Sequence, residues 1–199
     1  MKLFFEEVYR IGEAIDLAGV HYGPHSRTKR YYEMTGYYPL LAGLARKIGA
    51  KKVLDVGTHF GGSAMAMQRG MDADGLAVTI DVTFLNNVIL SKIPNIRRVC
   101  GSSLDPEKIA EISDILDGGP IDVLYIDTFH DYPNLMANIE AYLPLNPAFI
   151  VMDDISINDS MKEAWRDLCA RYAAVDVTDL CKRNCGFGVL VLDAGRYQG

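Results

Sequence analysis

Apolar and polar positions recur along this chain with two different periods. Near the start, Phe4, Val8, Ile11, Ile15 and Ala18 repeat at helical spacing, while Glu6, Glu7, Arg10 and Glu13 fall elsewhere. That pattern predicts an amphipathic helix ending near Gly19. The stretch HYGPHSRTKRYYEMTGYY comes next and is too mixed for a regular element. Leu40, Leu41, Leu44 and Ile48 then mark one face of a second short helix from Pro39 to Ile48. From Lys51 the character changes to short apolar runs: KKVLDVG, GLAVTIDV, IRRVCG, IDVLYID, AFIVMDD, AAVDVTDL and FGVLVLD. Several lack polar alternation, as strands buried on both faces do. Helical patterns separate the first six, over Ser63–Arg69, Thr83–Ser91, Pro106–Leu116, Pro133–Leu143 and Ser160–Tyr172. In the last of these, Met161, Ala164, Trp165 and Leu168 share a face. CKRNCG, between the final two runs, is too short for a crossover helix, so those strands should pair antiparallel.

Alternating strands and helices predict an α/β fold. The expected architecture is a doubly wound, mostly parallel seven-stranded sheet with a C-terminal antiparallel hairpin. Residues 1–50 form a short helical N-terminal cap and residues 51–199 the sheet domain. In such sheets ligands bind at the carboxyl ends of the strands. Function is therefore sought just after each apolar run.

Composition narrows the classes. Of 199 residues, 49% are hydrophobic and 23% charged, which supplies a core and excludes a disordered chain. No apolar run approaches the ~18–20 residues of a membrane span. MKLFFEEVYR places two glutamates where a secretion signal would be apolar. A net charge of −6 disfavours nucleic acid as the main partner. The four cysteines, Cys100, Cys169, Cys181 and Cys185, are few and irregular, as in reduced thiols of a cytoplasmic protein. Cys181 and Cys185 lack two further soft ligands nearby, so zinc is not expected there.

Polar residues gather where the strands end. After the first run, Gly57, Gly61 and Gly62 permit a sharp turn and close approach to a ligand, ahead of a helix N-terminus that suits an anion. A plain strand–helix turn is the duller alternative. The spacing is not G-x-G-x-x-G, which disfavours a nicotinamide or flavin fingerprint. After the second run, Asp81 is placed to accept hydrogen bonds from a ribose diol, or else is a solvated strand-end acid. Ser102 and Ser103 follow the third run, either at an adenine edge or capping the helix at Pro106. Asp127, Asp153 and Asp154 leave two neighbouring strands, and unpaired they would repel one another. A hard divalent cation such as Mg²⁺ resolves that, as would helix capping by Asp154 and pairing with Arg or Lys.

Taken together, VLDVGTHFGGS, TIDV, CGSS, the LYIDTFHDY…LPLNPAFIVMDDI block and the closing GFGVLVL resemble a class I S-adenosylmethionine-dependent methyltransferase over about 51–193. The last block is most similar to divalent-metal small-molecule O-methyltransferases of the catechol/caffeoyl-CoA, macrolide-sugar and cephalosporin-hydroxylase-like groups. The resemblance implies that Asp55, Gly57, Thr58, Gly61 and Ser63 belong to the segment cradling the methionine moiety. It implies that Asp81 binds the ribose, that Ser102 and Ser103 face the adenine, and that Asp127 lies between cofactor and metal. Asp127, Asp153 and Asp154 then match the metal ligands. His130 stands where catechol-type relatives carry a lysine that activates the substrate hydroxyl, and a histidine suits general-base work. Its alternative is a partner to a metal-bound carboxylate. His59 reads as a packing or cofactor contact. The chain departs from relatives in its Asp-Asp pair at 153–154 and in the bulk of His59 and Phe60.

The implied activity is methyl transfer from S-adenosylmethionine, with Mg²⁺ or another divalent cation, to a hydroxyl of a sugar, phenol or secondary metabolite. Tyr31, Tyr32, Tyr37 and Tyr38 would line a substrate pocket or a homodimer contact, with a packing loop as the plainer reading, and Lys29 and Arg30 would meet an anionic substrate. The rivals are a metal-independent methyltransferase, a non-catalytic S-adenosylmethionine-binding protein and a Rossmann-type oxidoreductase.

Overall fold

Seven strands hydrogen-bond in the order β3-β2-β1-β4-β5-β7-β6. A computed structural model of the chain describes residues 1–20, 36–83, 90–182 and 184–197. The strands are β1 (Lys52–Val56), β2 (Leu76–Asp81), β3 (Ile96–Cys100), β4 (Val123–Ile126), β5 (Phe149–Asp153), β6 (Ala173–Asp176) and β7 (Phe187–Val191). The first five run parallel, and β7 lies antiparallel between β5 and β6. The order turns back at β1 and β4, so a crevice opens beyond their carboxyl ends. Among the described residues no helix is long and apolar enough to cross a membrane.

Central strands are buried on both faces, and successive residues feed two cores. Val53, Tyr125 and Phe149 face one layer, built with α1 (Lys2–Glu13), α2 (Tyr37–Lys47) and α3 (Gly62–Gly70). Leu54, Leu124 and Ile150 face the other, built with α4 (Pro106–Ile115), α5 (Tyr132–Tyr142) and α6 (Asp159–Arg171). Helices α4, α5 and α6 start on side-chain caps. Asp105 accepts the Glu107 N–H at 2.9 Å, Asp131 the Asn134 N–H at 2.8 Å and Asn158 the Met161 N–H at 2.9 Å. The cap before Pro106 is thus Asp105 rather than a serine, and the cap of α6 is Asn158 rather than Asp154.

The N-terminal helices differ from their sequence pattern. Helix α1 stops at Glu13 and buries Phe5, Val8 and Gly12, whereas Ala18 is exposed. Gly12 decides the face, because a Cβ there would lie 1.7 Å from the Pro39 carbonyl oxygen. Helix α2 is buried from Tyr37 through Ala45, so its hydrophobicity runs all round and hides the expected single stripe. The β6–β7 pair is the antiparallel hairpin that the short CKRNCG spacer requires. Its connection also holds a one-turn helix, α7 (Thr178–Cys181), whose Thr178 hydroxyl accepts the Phe187 N–H at 3.0 Å. No disulfide joins the four cysteines. Tyr31, Tyr32, Lys29 and Arg30 lie outside the described residues, as does most of the helix expected over 83–91.

Candidate active site at the carboxyl ends of the strands

The loop after β1 touches the loop after β4 backbone to backbone. Gly57 adopts φ +102°, and a Cβ there would stand 1.8 Å from the Asp127 carbonyl oxygen. Only glycine permits both the conformation and the contact. Asp81 ties this loop to the end of β2. One carboxylate oxygen accepts the His59 N–H at 2.7 Å and the other accepts the Thr83 N–H at 3.1 Å.

A buried network braces the loop from behind. Asp55 is fully buried, and its two oxygens accept the Ser63 and Thr79 hydroxyls, each at 2.5 Å. Thr58 and Thr79 share a further hydroxyl contact at 2.5 Å. Burial pushes the Asp55 carboxyl up to about 7, and the Ser63 and Thr79 hydrogen bonds pull against that rise. Gly61, at φ +81°, packs on Leu90.

Two spaces open over these loops. The larger is a cleft of about 270 Å³ whose walls include Gly57, Asp81, Ser102, Ser103 and Asp127. The smaller is bordered by Tyr37, Tyr38, Thr58 and Ser63. Gly57 and Asp127 line both. Of the residues expected at a cofactor, Asp55 therefore supports from beneath, and Gly61 serves the turn.

Beside the junction of the two spaces stands an acidic cluster. His130 Nε2 lies 3.3 Å from Asp127 Oδ1 and 3.2 Å from Asp154 Oδ2. One ligand atom of each of the three residues lies within 4.8 Å of the others. Asp154 reaches this position because it follows β5 in a left-handed conformation, φ +57°. Its N–H is held by the Gly186 carbonyl at 3.0 Å and by Asp153 Oδ1 at 2.8 Å. Asp153 itself is buried at the end of β5 and does not enter the Asp127–His130–Asp154 group. The hydrogen bond to Asp127 raises the His130 pKa, with Asp154 adding to the rise and partial burial opposing it. The Asn158 amide fixes the loop by donating to the His130 carbonyl at 2.8 Å.

The model of the Rhamnosyl O-methyltransferase/CmcI family matches residues 25–175. The chain belongs to this family. Solved methyltransferases share the architecture of this O-methyltransferase. An O-methyltransferase from Bacillus cereus, solved with SAH, superposes with TM-score 0.63 at 20% identity, covering 94% of this chain and 90% of that one. TomG from Streptomyces achromogenes, an O-methyltransferase of tomaymycin synthesis solved with SAM, gives 0.62 at 20% identity, over 93% and 95%. A methyltransferase from Geobacter sulfurreducens gives 0.58 at 16% identity, over 79% and 80%. At these identities the likeness is one of fold, the class I methyltransferase fold. Family and fold together make the chain an S-adenosylmethionine-dependent O-methyltransferase.

Sequence reasoning missed two groups of this methyltransferase's site. Tyr125 donates from its buried hydroxyl to Asp127 Oδ2 at 3.4 Å, and burial keeps that phenol well above its ordinary pKa. Its polar tip inside an apolar strand was the available signal. Asn134 lines the larger cleft from the first turn of α5. Nothing in a periodicity pattern marks it, since it lies off the buried stripe.

Proposed function

We propose that this O-methyltransferase methylates a hydroxyl of a small molecule (a sugar, a phenol or another secondary metabolite) at the Asp127–His130–Asp154 cluster, with a divalent cation assisting. The observation that carries this reading is the convergence of a second carboxylate and an imidazole on Asp127, the residue that with Gly57 lines both spaces. The Asp127 and Asp154 carboxylates have oxygens within 4.8 Å of one another. They suit a small hard cation that takes one or two carboxylates and completes its shell with waters and substrate oxygens. His130 stands 3.3 and 3.2 Å from them as the proton acceptor. The larger cleft likewise suits a nucleoside, with the Asp81 carboxylate and two serines on its walls.

When bound, S-adenosylmethionine supplies an electrophilic methyl and a cation supplies acidity to an acceptor hydroxyl. The chain's own residues do the remaining work. Gly57 lets the backbone lie against the cofactor. Asp81 accepts from ribose hydroxyls, and Ser102 and Ser103 face the base. Asp127 and Asp154 are the carboxylates that would hold the cation, with Asp153 fixing the Asp154 backbone and Tyr125 fixing Asp127. His130 takes the acceptor's proton at its ring nitrogen. The geometry required of the acceptor oxygen is an in-line approach at ~3–3.5 Å from the methyl carbon.

A direct pairing of His130 with both carboxylates also suits a metal-independent methyltransferase, so the test separates the two. Formation of S-adenosylhomocysteine is followed with sugar and phenol acceptors, with and without a chelator. Turnover on at least one acceptor, lost with chelator and restored by Mg²⁺, is expected. Asp127→Asn should lower turnover as far as the chelator does, and loss of the proton acceptor in His130→Gln should lower it ~10²–10⁴-fold, while S-adenosylhomocysteine still binds both variants. Full activity in chelator would remove the cation. Cofactor binding without turnover on any acceptor would turn the reading to a binding protein.

A further inference from the structure

Asn134 lines the larger cleft and not the smaller space. Because Gly57 and Asp127 line both, the reacting end lies at their junction. Residues confined to the larger cleft, among them Ser102, Ser103 and Asn134, belong to its nucleoside end.

The orientation of the Asn134 amide is set by a chain of hydrogen bonds that begins at an unambiguous acceptor. Asn138, one turn along α5, donates from Nδ2 to the Asn134 backbone carbonyl at 2.9 Å. A carbonyl only accepts, so turning the Asn138 amide over would set two oxygens face to face. With Asn138 fixed, its Nδ2 also donates to Asn134 Oδ1 at 3.1 Å, and Thr128 Oγ1 donates to the same oxygen at 2.6 Å. Asn134 Oδ1 is thereby committed to the protein. Its Nδ2 has no partner among the described residues. Asn138 is fully buried, and its own Oδ1 is left without a partner. An orphaned buried acceptor is unfavourable, and an apolar side chain of similar size would avoid it. The amide at 138 is accounted for by its donor, which locks Asn134.

We propose that Asn134 reads the purine base of the cofactor, its Nδ2 donating to a ring nitrogen of the adenine, with Thr128 and Asn138 as positioning residues. This rests on the cofactor reading above. A purine offers ring nitrogens as acceptors, and a donor of fixed direction distinguishes a ring nitrogen from a C–H at the same place.

The test is a calorimetric titration of the full chain with S-adenosylhomocysteine and its 1-deaza, 3-deaza and 7-deaza analogues. In the unaltered protein one analogue is expected to bind about tenfold more weakly than the parent. In Asn134→Asp the parent should weaken by about tenfold or more, and that analogue's relative deficit should disappear. Asn138→Leu should fold at least as stably and reduce the same deficit, because the Asn134 amide is then free to turn. The inference is overturned if the unaltered protein binds all three analogues as tightly as the parent. It is also overturned if the deficits are the same in Asn134→Asp. Failure of the unaltered protein to bind S-adenosylhomocysteine at all would strike the cofactor reading instead.

Discussion

Burial holds the Asp55 carboxyl at a pKa of about 7 against ~3.9 in an unfolded chain. The folded state therefore binds this proton more tightly. Stability from Asp55 is fully present below about pH 4 and is lost as pH rises toward 7, because only the unfolded chain releases the proton in that window. The slope from this one group reaches at most ~1.4 kcal/mol for each pH unit. Asp55→Asn keeps partners for Ser63 and Thr79, whose hydroxyls can rotate, and carries no titrating charge. Denaturant midpoints measured from pH 4 to 8 should fall more steeply in the unaltered protein than in Asp55→Asn. Parallel curves would mean that other groups set the dependence. At this scale the sequence displayed the acids of the site but not their directions. Asp153 and Asp154 are adjacent and chemically identical, yet only Asp154 joins His130 and Asp127. The difference comes from the left-handed turn at Asp154, bonded to Gly186 from a distant part of the chain. Local sequence does not encode that contact.

At the scale of elements, glycines set how closely the N-terminal helices approach. A Cβ on Gly43 of α2 would lie 1.9 Å from the Val8 carbonyl oxygen of α1, and one on Gly70 of α3 would lie 2.0 Å from the Ala42 carbonyl oxygen of α2. These obstacles are backbone atoms, which cannot swing aside. Alanine at 43 raises helix propensity by ~1 kcal/mol. It must also push α1 and α2 apart, and overpacking of this kind costs about 1–3 kcal/mol or more. Gly43→Ala is therefore expected to lower stability in chemical denaturation. A gain would show that the two helices do not meet at this point. The central parallel strands were legible because burial on both faces leaves apolar runs such as VLYI of β4, whereas β3, at the sheet edge, exposes Arg97 and Arg98. The helices after β3, β4 and β5 were legible because one stripe of each is buried and their caps are local. Helix α2 was only half legible, since a helix enclosed on all sides carries no stripe. The end of α1 was misplaced, because the fit of Gly12 against Pro39 is a tertiary contact.

Across the whole molecule, the division at residue 50 marks a change of pattern, while the core on one side of the sheet draws on both parts. Phe4 stacks on Phe149 with ring centroids 6.2 Å apart, and Tyr37 lies 5.2 Å from Phe187 and 6.4 Å from Tyr125. Tyr37 and Tyr38 of α2 also border the smaller space beside Asp127, so the second N-terminal helix helps to build the site. Removing residues 1–50 would uncover the face of β1, β4 and β5 that α1 and α2 bury. An exposed apolar patch of that kind favours association over a monomeric fold. A fragment of residues 51–199 is therefore expected to bind a hydrophobic dye and to lack a sharp thermal transition. The full chain should unfold cooperatively and be stabilised by S-adenosylhomocysteine, by ~2.7 kcal/mol at a hundredfold excess over its Kd. A fragment that melts sharply and gains the same stabilisation would show that the first fifty residues are dispensable for folding and for cofactor binding.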